Sequence, residues 1–366
     1  MKIPYINLKK QYFSEKKNIL KILDKVLSKG QYISGNEVEV FEKNISNFCE
    51  TKYCVALNSG TDALTLALFS LGVRKGDEVI TVPNSFIAST SVIVHLGAKP
   101  VFVDVLDDQN INPDLIETKI TSKTKVIMPV HLTGRICQMD KINKIAKKYG
   151  LKVIEDAAQA IGSIFNKKKA GSFGDIGCFS AHPLKNLNAI GDSGYLTTDS
   201  KEIYDYIKDL RNHGMTNRNK IKNFGFVSRM DTLQASILNF RIKKLKKIIK
   251  KRRKNAFLYT QLINSKNVYI PKEKKEEVNS YHTFVIQAEN RNKLKNYLET
   301  KNIITSIHYP IPIHKQPAYK KLGYKNEKFL NVEKQSKSIL TLPINEHLTQ
   351  KEVIYISNQI NNFYKA

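Results

Sequence analysis

The sequence predicts an α/β protein: a large domain on a mainly parallel, helix-covered sheet, then a smaller C-terminal α+β domain. Three observations carry this expectation. The chain has 366 residues, 41% of them hydrophobic, which exceeds the size at which one core usually divides into two. Between residues 51 and 200, short β-branched runs alternate with helical patterns. Such alternation implies right-handed crossovers and a parallel sheet covered on both faces. Beyond residue 230 the alternation gives way to one long helical pattern and a mixed segment. The expected division is 1–245 for the large domain, with its N-terminal segment, and 246–366 for the small one.

In chain order, "TDALTLALFSL" places Leu64, Ala67, Leu68 and Leu71 at i, i+3, i+4 and i+7, the buried face of a helix. "EVITV" (78–82) reads as a buried strand ended by Pro83. "KPVFVDV" (99–105), "KVIMPV" (125–130) and "LKVIEDA" (151–157) read as further strands, and "CFS" as a strand delivering Ser180. "RMDTLQASILNFRIKKLKKIIKKRRKNAFLYTQL" is one long helix with Ile242, Leu245 and Ile249 along one face, leading into the small domain. "SYHTFVIQA" is a strand of that domain, and the chain has no internal repeat or low-complexity linker.

Lysine and arginine number 60 against 33 acidic residues, a formal charge of +27. That surplus suits nucleic acid, an acidic membrane or an anionic small substrate. The abundance of Asn, Ile and Lys also has a purely compositional explanation. No basic-aromatic module or zinc-finger spacing accompanies the charge, so no nucleic-acid partner is expected. The basic run 243–254 reads as a solvated helix face whose lysine stems cover apolar surface. Cys49, Cys54, Cys137 and Cys178 are scattered without C-x-x-C, which argues against a disulfide framework or metal site and for a reducing compartment. "MKIPYINLKKQYF" lacks the apolar core of a signal peptide. No apolar run approaches the ~18 residues of a membrane span. The expectation is a soluble, cytoplasmic protein without a membrane partner.

The chemistry is expected near Lys185, which lies in "SAHPLKNLNAIGDSG" (180–194) between a proline and a glycine-bearing turn. A lysine amine reacts only when its surroundings lower its pKa. In "NSGTDAL" (58–64), Thr61 can cap a helix, and the N–H groups after Gly60 form an anion-binding end. Many helices beginning this way bind nothing. "VIEDAAQA" (153–160) sets Glu155 and Asp156 at the C-terminal end of a strand, where open α/β sheets bind ligands. A carboxylate there either caps the next helix or pairs with a cationic ring nitrogen. "GSFGDIGCFS" (171–180) departs from G-x-G-x-x-G spacing, and its glycines read as turn residues. Phe86, in "VPNSFIAS", either stacks on a ring or packs in the core. A Schiff-base lysine, a carboxylate for a pyridinium nitrogen, and a helix end plus a hydroxyl for a phosphate are what pyridoxal 5'-phosphate requires. Freed from the cofactor, the lysine would serve as general base and acid.

These segments together resemble the sugar aminotransferase family DegT/DnrJ/EryC1/StrS, of fold type I. The resemblance runs from "GQYISGNEVEVFEKNIS" through "NSGTDAL", "GDEVITVPNSFIAS", "PVHLTGRICQMDKI" and "EDAAQAIGS". It continues through "FSAHPLKNLNAIGDSGYLTTD" and "SRMDTLQASIL" to "HYPIPIHKQPAY". It implies that Lys185 is the catalytic, cofactor-linked residue and that Asp156 faces the pyridine nitrogen. Gln159 would lie by the cofactor ring, Phe86 would stack on it, and Gly60, Thr61 and Ser180 would hold its phosphate. His308 and Tyr309, with His314 less directly, would line the sugar site, and Arg229 would contact substrate. Members resemble one another in being homodimers with shared active sites. They move an amino group from L-glutamate to a keto group of a dTDP- or UDP-linked sugar, with pyridoxamine 5'-phosphate in the half-reaction. The histidine-tyrosine-proline segment is similar to members acting at C3 for surface glycans.

Some relatives carry histidine at the position of Lys185 and dehydrate sugars, so the lysine favours transamination. Before "SRMD" the family usually has Gly-x-Asn-Ser-Arg, whose asparagine reaches the neighbouring subunit's cofactor phosphate. Here "GFVSR" puts Val227 there, and valine forms no such hydrogen bond. His308 could equally be a structural histidine. Two alternatives stand beside this reading: the same chemistry on a cyclitol or other ketone, and a regulatory or nucleic-acid-binding protein that keeps the fold.

Overall fold

The computed structural model describes residues 2–324 and 327–365. Its central sheet has seven strands: β1 (Tyr53–Leu57), β2 (Glu78–Thr81), β3 (Lys99–Phe102), β4 (Thr124–Ile127), β5 (Lys152–Asp156), β8 (Ile176–Ser180) and β9 (Gly194–Thr198). Between β5 and β8, a hairpin of β6 (Ile164–Phe165) and β7 (Lys168–Lys169) stands apart from this sheet. The strand order is β1-β9-β8-β5-β4-β2-β3. Strands β3, β2, β4, β5 and β8 run parallel, while β9 is antiparallel to both β8 and β1. The predicted mainly parallel sheet is therefore present. Because β9 reverses direction, the loop 181–193 that joins it to β8 stays at the C-terminal edge of the parallel strands, where such sheets bind ligands.

Period-two alternation divides the strand residues between two cores. Val79, Val126 and Ile154 join one apolar cluster, and their successors or predecessors Ile80, Ile127 and Val153 join the other. The first cluster is covered by α3 (Gly60–Ser70) and α6 (Lys201–Leu210). The second is covered by α2 (Asn36–Cys49) and α7 (Thr232–Leu262), with α5 (Met139–Tyr149) beside them. Two further helices, α1 (Leu8–Lys29) and α4 (Ala88–His95), complete the N-terminal part. A short arm of β10 (Met215–Asn217) and β11 (Lys220–Ile221) projects before α7.

The C-terminal sheet joins β12 (Val268–Tyr269), β14 (Phe284–Ala288) and β15 (Ile339–Leu342) in the antiparallel order β12-β14-β15. Strand β13 (Glu277–Val278) pairs instead with β6. Helix α8 (Arg291–Thr300) and the helix Gln350–Phe363 cover the C-terminal sheet. Helix α7 passes from one core to the other: Leu245 and Ile249 pack in the large domain, Ala256 and Tyr259 in the small one. The division expected at 245/246 falls inside this helix, and we propose that it lies between Ile249 and Ala256. Ile3 packs in the small-domain core and bridges to Ile303, so the first residues of the chain also join that domain.

The basic run lies on α7, as the solvated-face reading expects. Its arginines turn inward, Arg252 to Glu346 at 3.1 Å and Arg253 to Glu273 at 2.6 Å. Most of its lysines remain exposed. Among the described residues, no helix is long and apolar enough to cross a membrane.

Candidate active site

A cleft of about 470 Å³ opens where the C-terminal edge of the large sheet meets the small domain. Gly60, Thr61, Phe86, Asp156, Gln159, Ser180, Lys185, His308 and Tyr309 all line it. Residues far apart in the sequence thus share one cavity.

Lys185 sits in the β8–β9 loop, which is pinned internally. Its N–H donates to the His182 carbonyl at 2.8 Å, the Ala189 N–H to the Ala181 carbonyl at 2.8 Å, and the Asn186 amide to the Ser280 carbonyl at 3.1 Å. The Lys185 amine has no hydrogen-bond partner among the described residues. Burial brings its pKa down from 10.5 to about 8, against the opposing pull of the Asp156 charge. Removal from water disfavours the charged form of an amine, which is the physical cause of the lowering.

Glu155 and Asp156 end β5 and point to opposite sides of the sheet. Glu155 is fully buried and accepts hydrogen bonds from the Gly171, Phe173 and Gly174 N–H groups at 2.9, 2.7 and 2.9 Å. His131 Nε2 lies 2.9 Å from the same carboxylate. Asp156 faces the cleft, held by the Ser89 hydroxyl at 2.7 Å and the Ala158 N–H at 3.2 Å. Gln159 is oriented by its side-chain carbonyl, which accepts the Thr133 N–H at 2.8 Å.

The anion-binding end is the N-terminus of α3. Ser59, rather than the expected Thr61, caps it, accepting the Asp62 N–H at 3.0 Å. The reason is that Gly60 already has helical geometry, so the cap falls one residue before it. The Ala63 N–H donates to the Ser59 carbonyl, which leaves the Gly60 and Thr61 N–H groups for a ligand. Gly60 has to be glycine, since a Cβ there would lie 2.7 Å from the Ser180 Cβ. The helix end therefore presses against the end of β8, and the Ser180 hydroxyl stands at the same spot.

The other wall comes from the small domain. Nδ1 of His308 lies 2.9 Å from the Thr341 hydroxyl. Burial, and then the Lys185 charge, hold the imidazole down at about 4, so it is neutral at physiological pH. Tyr309 is pushed up to about 12 by burial and by Asp156, which keeps its phenol protonated. Its ring centroid lies 6.0 Å from that of Phe86, which is 56% exposed.

Two expected site residues lie elsewhere. Arg229 does not line this cleft; its Nη1 donates to Asn212 Oδ1 at 3.0 Å, in a separate pocket beside α2 and α6. His314 is buried against Phe329 at 4.8 Å between centroids, and its Nε2 is 3.2 Å from Glu333 Oε1. That partner and that packing leave it a structural histidine in this chain. Val227 is 60% exposed. Conversely, Tyr5, Ser59, Ser89 and His282 line the cleft without having been anticipated. Ser59 was legible in "NSGTDAL" from capping preference alone, whereas Tyr5 arrives only through the pairing of Ile3 with Ile303.

This set fits pyridoxal 5'-phosphate. An unpaired amine on a half-buried lysine, a cleft-facing carboxylate, an uncovered aromatic face and free N–H donors at a helix end match its aldehyde, ring nitrogen, ring and phosphate. Fold and site together define a fold type I, pyridoxal-phosphate-dependent aminotransferase. The chain belongs to the DegT/DnrJ/EryC1/StrS aminotransferase family, whose profile matches residues 14–361.

Two relatives and one solved structure illustrate the similarity. The chain is 40% identical to the dTDP-3-amino-3,6-dideoxy-alpha-D-galactopyranose transaminase of Aneurinibacillus thermoaerophilus, covering 99% of each chain. It is 37% identical to a protein of Geobacillus stearothermophilus named a pleiotropic regulatory protein, covering 100% of this chain and 99% of that one. Among solved structures, S. venezuelae DesV in complex with a ketimine intermediate superposes with a TM-score of 0.96 at 32% identity, covering 100% of this chain and 99% of the other. Other relatives are named for 3-amino or 3-oxo sugars linked to dTDP or UDP. Solved neighbours include forms with the cofactor as pyridoxal and as pyridoxamine phosphate.

Proposed function

We propose that the protein transfers an amino group from L-glutamate to the C3 keto group of a dTDP- or UDP-linked sugar, supplying an amino sugar for a surface glycan. The observation that carries this reading is the meeting of Lys185 and Asp156 with His308 and Tyr309 in one cleft. The names of the relatives support the substrate class. The bound cofactor supplies an electron sink that acidifies the Cα–H of the amino donor. Freed from the cofactor, Lys185 Nζ, with its lowered pKa, would take the proton from the donor carbon and hand it to the cofactor, and in the second half-reaction would move a proton from the cofactor to the sugar carbon being aminated. Asp156, held by the Ser89 hydroxyl, would lie against the ring nitrogen. His308 accepts or donates a hydrogen bond to a sugar hydroxyl as a neutral imidazole, and Tyr309 donates as a phenol. Phe86 shields one ring face from water.

We also propose a cytoplasmic homodimer. Ile221, Phe224 and Val227 around the β10–β11 arm are 67%, 99% and 60% exposed, an apolar surface that suits a second copy. A valine at 227 suits burial against such a copy better than contact with a phosphate. Arg229 would then act, if at all, at the partner's cleft.

The test incubates purified protein with L-glutamate and a panel of dTDP- and UDP-linked 3-keto sugars. Formation of 2-oxoglutarate with one of them supports the reading, and its absence with all overturns it. Competition by free nucleoside diphosphate separates a sugar nucleotide from a cyclitol. One observation favours a second reading, the name of the Geobacillus relative: a regulatory role would appear as salt-dependent DNA binding with sequence preference.

A further inference from the structure

Helix α1 buries Gln11, Glu15, Ile19 and Val26 and presents a second apolar line to solvent. Phe13, Leu20 and Leu27 on this line are 61%, 46% and 51% exposed. Their seven-residue spacing puts them almost above one another, roughly 10 Å apart along the axis. Single exposed apolar residues are ordinary on protein surfaces, but a straight line of them along one helix is a patch.

The surroundings of this line are cationic. Lys16, Lys17, Lys21 and Lys25 are all exposed on the same helix. Of its acidic residues, Glu15 is buried and paired with Arg241 at 2.9 Å and Lys244 at 3.6 Å on α7, and only Asp24 faces solvent. Helix α7, which packs against α1, also exposes Lys243, Lys247 and Lys251. Composition alone accounts for many lysines. It does not account for the apolar line between them.

We propose that this face lies on an anionic phospholipid surface. Helix α1 lies in the plane of the interface with Phe13, Leu20 and Leu27 at the boundary of headgroups and acyl chains, and its lysines meet lipid phosphates. A helix with apolar and lysine-rich strips side by side is the form that binds a membrane surface without crossing it. A flat field of phosphates complements a long, nearly acid-free lysine face. The outward line runs along the exposed side of the helix, opposite its buried Gln11, Glu15, Ile19 and Val26, a shape that suits a plane. The expectation of no membrane partner rested on spanning segments, and lying on a surface is a separate physical matter.

The chain contains no tryptophan, so Phe13→Trp provides a single fluorescent reporter, with Leu20→Trp as a second should the first fold poorly. Tyr149→Trp, at a residue 41% exposed on α5, is the control. With vesicles of phosphatidylglycerol in phosphatidylcholine, emission from Phe13→Trp moves to the blue and is quenched by brominated lipid. With pure phosphatidylcholine it does neither, and Tyr149→Trp responds to neither vesicle. Lys16→Gln and Lys17→Gln each weaken partition about fivefold. Salt releases the protein, because the Debye length falls from about 10 Å at 0.1 M to about 3 Å at 1 M. Leu20→Ser weakens binding at unchanged charge. No binding to the anionic vesicles overturns the proposal. So does binding without a change at Phe13→Trp and Leu20→Trp, which would be adsorption of a cationic protein elsewhere. A blue shift without lipid that grows with protein concentration, with larger species in sedimentation, also overturns it and assigns the strip to a second copy.

Discussion

Glu155 and Asp156 are adjacent on β5, and their surroundings are opposite. Glu155 has no exposed surface and four hydrogen-bonding neighbours from the 171–174 turn and His131. Asp156 has two, and its remaining capacity faces a cleft that also holds the Lys185 amine. A carboxylate surrounded by protein donors holds a turn in place; one left partly unsatisfied beside an unpaired amine is available to a ligand. The difference comes from strand alternation, which sends consecutive side chains to opposite faces of one sheet.

Substitutions can sharpen this contrast. The largest expected effect is on activity: Lys185→Ala lowers turnover by about 10³-fold or more, abolishes the visible absorption of the lysine-bound cofactor, and leaves the urea midpoint of the apoenzyme unchanged. A mutant that still reduces a keto sugar's concentration at the wild-type rate would remove Lys185 from the chemistry. Next, Glu155→Gln and Asp156→Asn should separate. Glu155→Gln destabilises the fold by about 3 kcal/mol in urea unfolding, because an amide NH₂ then confronts backbone donors that lose their acceptor. Asp156→Asn leaves stability nearly intact and lowers activity about 100-fold. Equal stability losses in the two variants would erase the proposed distinction.

A subtler effect concerns the amine itself. Labelling of Lys185 in the apoenzyme by an amine-reactive sulfonate should rise with pH through a midpoint of about 8, well below an ordinary lysine. Asp156→Asn should move that midpoint lower still, since the Asp156 charge raises it. A midpoint near 10.5 would mean that the amine is solvated. The smallest effect is on acid stability. His308 is held down to about 4 from 6.5, so between those values the unfolded chain binds its proton while the folded protein does not. Stability contributed by the neutral imidazole is thus present above 6.5 and declines as pH falls toward 4. His308→Asn should flatten that part of the stability profile, and an unchanged profile would mean that this imidazole titrates normally.

Much of the site was legible before any coordinates. Lys185, Asp156 and Ser180 lie close after strand ends, and strand ends can be recognised from short β-branched runs. Phe86 and Gly60 follow strands in the same way. The cap at Ser59 was placed two residues late, at Thr61, because the helix begins at Gly60, a poor helix former on propensity. Arg229 and His314 were assigned by resemblance, and in this chain Asn212 and Glu333 engage them away from the cleft. Tyr5 and His282 could not be anticipated, since each reaches the cleft only through the docking of the small domain.

By itself the sequence determined the alternation of strands and helices, the parallel sheet, the long helix α7 and the local chemistry of each loop. These depend on periodicity and on residues within one or two turns of each other. Only the tertiary structure decided how far the Lys185 amine leaves water and which residues close the cleft from the other domain. Those outcomes depend on burial and on contacts between segments more than a hundred residues apart, such as Lys185 with His308. Desolvation belongs to the assembled cavity, and no short stretch of sequence encodes it.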